Sequence, residues 1–173
     1  MWLQGLGMVL VMVATTLTGM GFYLKEKYRL QDLKTLEQAI LQMQQQIAYM
    51  ALPLPDVLEC VSLQIVGQIG CILKEIANKM KQHSQETAEE IWESVWLSYA
   101  KKTYFAVEDF EMILQFGKTW GGWDKQKQQN NMSYFLRELE QKQTMLRKKI
   151  EKNGKMYCGM GILSGLLLIV VLL

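Results

Sequence analysis

The chain has two prolines, one histidine and three cysteines in 173 residues. Each scarcity removes a class of chemistry. His83 stands alone, with no second histidine and no Cys-x-x-Cys, so a metal site has nothing to build on. No motif pairs His83 with Cys60 or Cys71, so a Cys–His nucleophile lacks support. In a reducing cytosol Cys60, Cys71 and Cys158 read as small buried hydrophobes. A phosphate-cradling loop is missing too. Gly117-Lys118-Thr119 spells its last three letters, but the preceding glycine would have to be at position 112, which is Met112. The net charge is only +2, which directs the chain to no nucleic acid.

Charge is also missing from both ends. All 19 basic and 17 acidic side chains fall between Lys25 and Lys155. A bilayer core of about 30 Å needs about 20 apolar helical residues. Residues 2–24 meet that length and residues 156–173 just reach it, so each reads as a transmembrane helix. Between them, residues 25–155 form a polar domain of ordinary size. Lys25, Lys27 and Arg29 come directly after the first span, and Arg147, Lys148, Lys149, Lys152 and Lys155 precede the second. By the positive-inside rule the middle domain is cytosolic and both termini face outward. A cleaved signal peptide fits poorly, because no Lys or Arg precedes the first apolar run.

The middle reads as helix throughout. Leu33, Leu36, Ile40, Met43, Ile47 and Met50 recur at spacings of three and four, a single apolar seam. Pro53 and Pro55 end that helix. Asp56 with Glu59 resembles a capping box opening a second helix, which runs to Gly67. A third carries Ile69, Ile72, Leu73, Ile76 and Met80, with Gly67 and Gly70 marking either a break or a bend. Thr87 with Glu90 is a further capping box, opening a helix with Ile91, Trp92, Val95, Trp96 and Tyr99 on one side. After a linker over 103–107, a fifth helix turns Phe110, Ile113, Leu114 and Trp120 to the core, and Gly117 lets another helix approach. Trp120-Gly121-Gly122-Trp123-Asp124 makes a turn, with Asp124 as the N-cap of the last helix. That helix, with Met132, Phe135, Leu136, Leu139, Leu146 and Ile150, runs almost unbroken into the second span, with a joint only at Asn153-Gly154. The expected architecture is all-α: a membrane-anchored bundle of about six cytosolic helices between N- and C-terminal transmembrane helices.

The run Thr16-Leu17-Thr18-Gly19, the Pro53-Leu54 break, the block Glu108 to Gln129 and the tail Gly161 to Leu167 resemble the stage III sporulation protein AB family. Within the block, Asp109, Phe116, Gly117, Gly121, Asp124 and Gln128 carry the motif. Trp120 departs from it, since the family usually has Leu there. The resemblance implies a non-enzymatic membrane protein of endospore-forming bacteria, part of the channel complex joining mother cell to forespore. It implies a place on the mother-cell side of the outer forespore membrane, a cytosolic part like the platform protein of type II secretion and type IV pilus machines, and no cofactor. By analogy the partners would be a secretion-type ATPase and other membrane subunits of the channel.

Two uses of the motif residues stay open. The aromatic turn Trp120–Trp123 and the polar helix after it could form a docking face, since Trp anchors are enriched in interface hot spots. Alternatively Gly117, Gly121 and Asp124 simply build a helix–turn–helix corner. In the spans, Thr15 with Gly19 and Gly161 with Gly165 are small-residue pairs that let helices approach closely, within the chain or in a homo-oligomer. The competing function is a two-span sensor or enzyme whose bundle holds a ligand. It would need converging polar groups among the apolar stripes, which carry aliphatic and aromatic residues instead.

Overall fold

The structure, a computed structural model, describes residues 2–50, 52–82, 86–121 and 125–172, and of their side chains those of 21, 23–49, 52–82, 86–119 and 126–152. Among the described residues there are six α-helices and no strand: α1 (Trp2–Met50), α2 (Leu54–Ser62), α3 (Gln68–Lys81), α4 (Ala88–Ser98), α5 (Val107–Gly117) and α6 (Lys125–Leu172). Residues 2–24 and the first helix of the middle domain are one continuous helix. α6 likewise runs through Asn153-Gly154 without the expected joint. Two compact units result, one of residues 1–28 with 144–173, the other of 29–143.

In the first unit, Lys149 Nζ donates to Glu26 Oε1 at 2.7 Å, which ties α6 to α1, and Leu146 is buried. Among the described residues no helix is long and apolar enough to cross a membrane. The spans expected at 2–24 and 156–173 fall almost entirely on side chains outside the described residues, as do Thr15, Gly19, Gly161, Gly165 and Cys158.

The second unit is the bundle. Leu33, Leu36, Ile40, Met43 and Ile47 are buried along α1, as their spacing predicts. From α6, Met132, Phe135 and Leu139 join them, and the next seam position is the buried polar Gln143. Its Nε2 donates to Glu37 Oε2 at 2.8 Å and to the Leu33 carbonyl at 3.4 Å, so the amide bridges α6 to α1.

α2 starts differently from expectation. Its N-cap is Pro53, with Pro55 in the first turn, where a missing N–H costs nothing. The Pro53 carbonyl accepts from the Asp56 and Val57 backbone N–H groups, and Asp56 caps nothing. Asp56 and Glu59 both bind Lys81 at the end of α3 instead. The chain breaks between α2 and α3 rather than bending. Gly67 sits at φ 94°, a region glycine enters freely. A Cβ on Gly70 would stand 2.0 Å from the Ile65 carbonyl oxygen, so only glycine lets the loop close on the helix.

Cys60 and Cys71 are exposed, contrary to the expectation of burial. The stripes Val57, Leu58, Val61 and Ile69, Ile72, Leu73, Ile76 face inward, which turns both thiols to solvent. α4 opens with the expected capping box. The Glu90 N–H donates to Thr87 Oγ1, and the Thr87 N–H donates to Glu90 Oε2 at 2.7 Å, which holds the Glu90 carboxyl below its usual range. Ile91, Trp92, Val95 and Trp96 are buried as predicted.

Candidate functional site

α5 is rotated relative to its sequence reading. Its buried face is Asp109, Met112, Ile113, Phe116 and Gly117, while Phe110 and Leu114 are only half-buried. The cause is Asp109, the one carboxylate among the described residues that is fully removed from solvent. A lone buried carboxylate would be strongly unfavourable unless paired and hydrogen-bonded. Arg29 of α1 supplies a two-pronged clamp, Nε to Oδ2 at 2.6 Å and a terminal guanidinium nitrogen to Oδ1 at 2.9 Å. Lys142 of α6 donates to Oδ1 at 3.1 Å and to the Glu108 carbonyl at 2.9 Å. The Ala106 N–H, at the N-cap of α5, donates to Oδ2 at 2.9 Å.

One carboxylate therefore joins three helices and closes the start of its own. Burial pushes the Asp109 carboxyl up. The Arg29 clamp, the Ala106 N–H and Lys142 together outweigh burial and hold it below the ordinary aspartate value. Close by, Asp32 of α1 accepts the Tyr104 N–H at 2.8 Å, and here burial prevails and raises the carboxyl.

Further along its length, α5 meets α4 through Gly117. A Cβ there would lie 2.2 Å from Trp92 Cδ1, so the missing side chain is what admits the indole. Trp92 Nε1 donates to the Ile113 carbonyl at 2.9 Å, which fixes the ring against α5. An aromatic run continues from it: Trp92 meets Trp96 and the edge of Phe116, and Phe116 stacks on Phe135 of α6 at 4.3 Å. Beside Phe116 lies a groove of about 270 Å³ between α5 and α6, lined also by Met112, Thr119, Tyr134 and Glu138.

Of the motif residues, Asp109, Phe116 and Gly117 are thus brought together inside the bundle as α5's contacts to α1, α4 and α6. Gln128 lies half-buried on α6. Trp120 and Gly121 close the short 3-10 turn Lys118–Gly121, with side chains outside the described residues, and Trp123 and Asp124 lie wholly outside them. Arg29, Lys142, Glu37 and Gln143 do not stand out as site residues in the sequence. The available signal is a polar residue on an otherwise apolar seam, which Gln143 on α6 supplies. Among the described residues no group of three or more His, Cys, Asp or Glu could hold a metal ion.

The arrangement fastens helices to one another. Asp109 has both oxygens engaged by donors on two other helices and its own N-cap. That suits a fixed mechanical joint and leaves the carboxylate no proton to exchange near neutral pH.

Comparison with known proteins points one way. A family model described as stage III sporulation protein AB matches residues 4–173. Stage III sporulation protein AB of Bacillus subtilis (strain 168) is 28% identical over 175 residues, covering 99% of each chain. A solved structure of a stage III sporulation protein AB superimposes with a TM-score of 0.66 at 18% identity, covering 72% of this chain and 97% of its own, a likeness of fold.

Proposed function

Since the chain belongs to the stage III sporulation protein AB family, we propose that it is a non-enzymatic platform subunit of the mother cell–forespore channel complex. In this reading it couples a cytosolic secretion-type ATPase to the membrane apparatus. Residues 2–24 and 156–173 cross the membrane, the bundle faces the mother-cell cytosol, and other channel subunits are its neighbours. The family and the relative it matches are named for sporulation and not for a reaction.

The observation that carries the mechanical part is the Asp109 node. A platform must pass a push on its cytosolic body to the helices that enter the membrane. α1 and α6 are the helices that would do so, and Arg29, Asp109 and Lys142 lock both of them to α5. Two further buried polar groups of the bundle make ties of this kind, Gln143 to Glu37 and Trp92 to the Ile113 carbonyl, while the buried Trp96 indole N–H has no partner among the described residues. Neither of the two bonded pairs lines the groove beside Phe116, which favours the platform over a ligand-holding sensor or enzyme.

The test is co-purification of the full chain from sporulating-cell membranes with a secretion-type ATPase. Retention of that ATPase, lost when the bundle is loosened by Asp109→Ala, is the expected result. An ATPase that never accompanies the chain, with normal channel function after removal of the bundle, would overturn the proposal.

A further inference from the structure

We infer that the polar edge of the first unit is a basic collar that holds the phosphate headgroups of anionic lipids. This rests on the two-span reading above. The two units carry opposite charge. Residues 1–28 and 144–173 hold seven Lys and Arg against two acids, whereas 29–143 hold twelve against fifteen. The chain's small positive excess thus hides a net +5 gathered on the first unit and a net −3 on the bundle.

All seven cations of that unit fall within residues 25–27 and 147–155. Lys149 is answered by Glu26 across the helix pair at 2.7 Å. Lys25, Lys27, Arg147, Lys148 and Lys152 are exposed and form no ion pair among the described residues. Lys148 and Lys152 stand four apart on α6, where like charges repel and weaken the helix. A phosphate between them would turn that repulsion into attraction.

Position selects the anion. The cations begin immediately after the charge-free residues 1–24 and stop immediately before 156–173, on two helices tied side by side by the Lys149–Glu26 pair. Basic residues at that level of a membrane-entering helix face the headgroup layer, where anionic lipid is concentrated and each Lys or Arg adds about fivefold to binding. A nucleic acid or a free phosphate would satisfy the same charge but would have no reason to prefer this boundary.

The experiment uses the full chain in mild detergent, titrated with phosphatidylglycerol or phosphatidylcholine and read by native mass spectrometry. Phosphatidylglycerol is expected to bind tighter by about a hundredfold or more. Lys148→Gln with Lys152→Gln should weaken it about thirtyfold, two charges at about 1 kcal/mol each, with phosphatidylcholine unaffected. Lys34→Gln with Lys127→Gln, removing two exposed bundle lysines, should change neither. Equal affinity for the two lipids, or indifference to the α6 pair, overturns the collar. So does displacement of the lipid by an equal concentration of inorganic phosphate, or a DNA oligonucleotide that binds as tightly as the lipid. Failure of the two-span reading looks different: alkaline carbonate would then release the chain from cell membranes, whereas a failed collar leaves it embedded but indifferent to lipid charge.

Discussion

Two places in the bundle set one ion between two of opposite sign, and at one of them the exposed Glu108 adds a looser contact to Arg29 at 3.8 Å. In the α2–α3 hairpin Lys81 lies between Asp56 and Glu59, all three side chains roughly two-fifths exposed or more. In the other, Asp109 lies between Arg29 and Lys142 with its own side chain at 0% exposure. The first joins helices adjacent in the chain, and the second joins α5 to helices about 80 and 33 residues away. Charge count predicts equal worth. Burial predicts otherwise, because water screens all of the first cluster and does not reach the carboxylate at the centre of the second.

The sharpest break is Asp109→Asn. It leaves Arg29 and Lys142, both mostly buried, facing a neutral amide in place of the carboxylate, and should cost about 3–5 kcal/mol. Urea unfolding of the detergent-solubilised chain, monitored by emission of the buried Trp92 and Trp96, measures it. A loss no larger than that of a surface substitution would end the claim that this node matters. Acid sharpens the same contrast. Asp109's folded pKa is depressed, so its contribution is fully present above the ordinary aspartate value of about 3.9 and is lost as pH falls through the lower folded value. The acid limb of wild type should therefore be steeper than that of Asp109→Asn.

Gly117→Ala comes next. The new methyl would meet an indole that cannot swing aside, because its nitrogen is bonded to the Ile113 carbonyl and its ring is packed by Trp96 and Phe116. Overpacking of this kind costs about 1–3 kcal/mol. Tryptophan emission should shift with it, whereas Gly21→Ala, with nothing within 4 Å, should leave both readings unchanged. Smaller again is Thr87→Ala, which removes the hydroxyl that caps α4 and should cost about 1 kcal/mol in the same urea titration.

How much of this is legible in the sequence depends on range. Thr87 with Glu90, and the apolar seam from Leu33 to Ile47, are patterns contained within a single helix, and the fold keeps them. Gly117 is legible as a close approach because it interrupts an apolar face. Asp56 and Glu59 have the spacing of a capping box, but Lys81 arrives from another helix and Pro53 already presets the helix start. The phase of α5 departs from its sequence reading for the same reason. A hydropathy pattern turns Asp109 outward and Phe110 inward, and only Arg29 and Lys142, both distant in sequence, make the reverse rotation stable. Composition alone would bury Cys60 and Cys71, whereas the apolar stripes beside them leave both on the outer face.

The smallest expected effect belongs to Lys81→Gln, and it is the control that gives the comparison its meaning. Asp56 first and Glu59 second raise the Lys81 amine above its ordinary value, so on geometry alone this cluster looks as strong as the buried one. A raised lysine contributes fully below its unfolded value of about 10.4 and loses that contribution only as pH rises through the folded one. Near neutral pH the variant's profile should thus run parallel to wild type, in contrast to the acid limb of Asp109→Asn. The midpoint should move less than for Thr87→Ala, and molar salt should erase even that, because exposed charges are screened within a few ångströms. A salt-resistant loss approaching that of Asp109→Asn would mean that burial is not what separates the two clusters, and the mechanical role assigned to the Asp109 node would lose its physical basis.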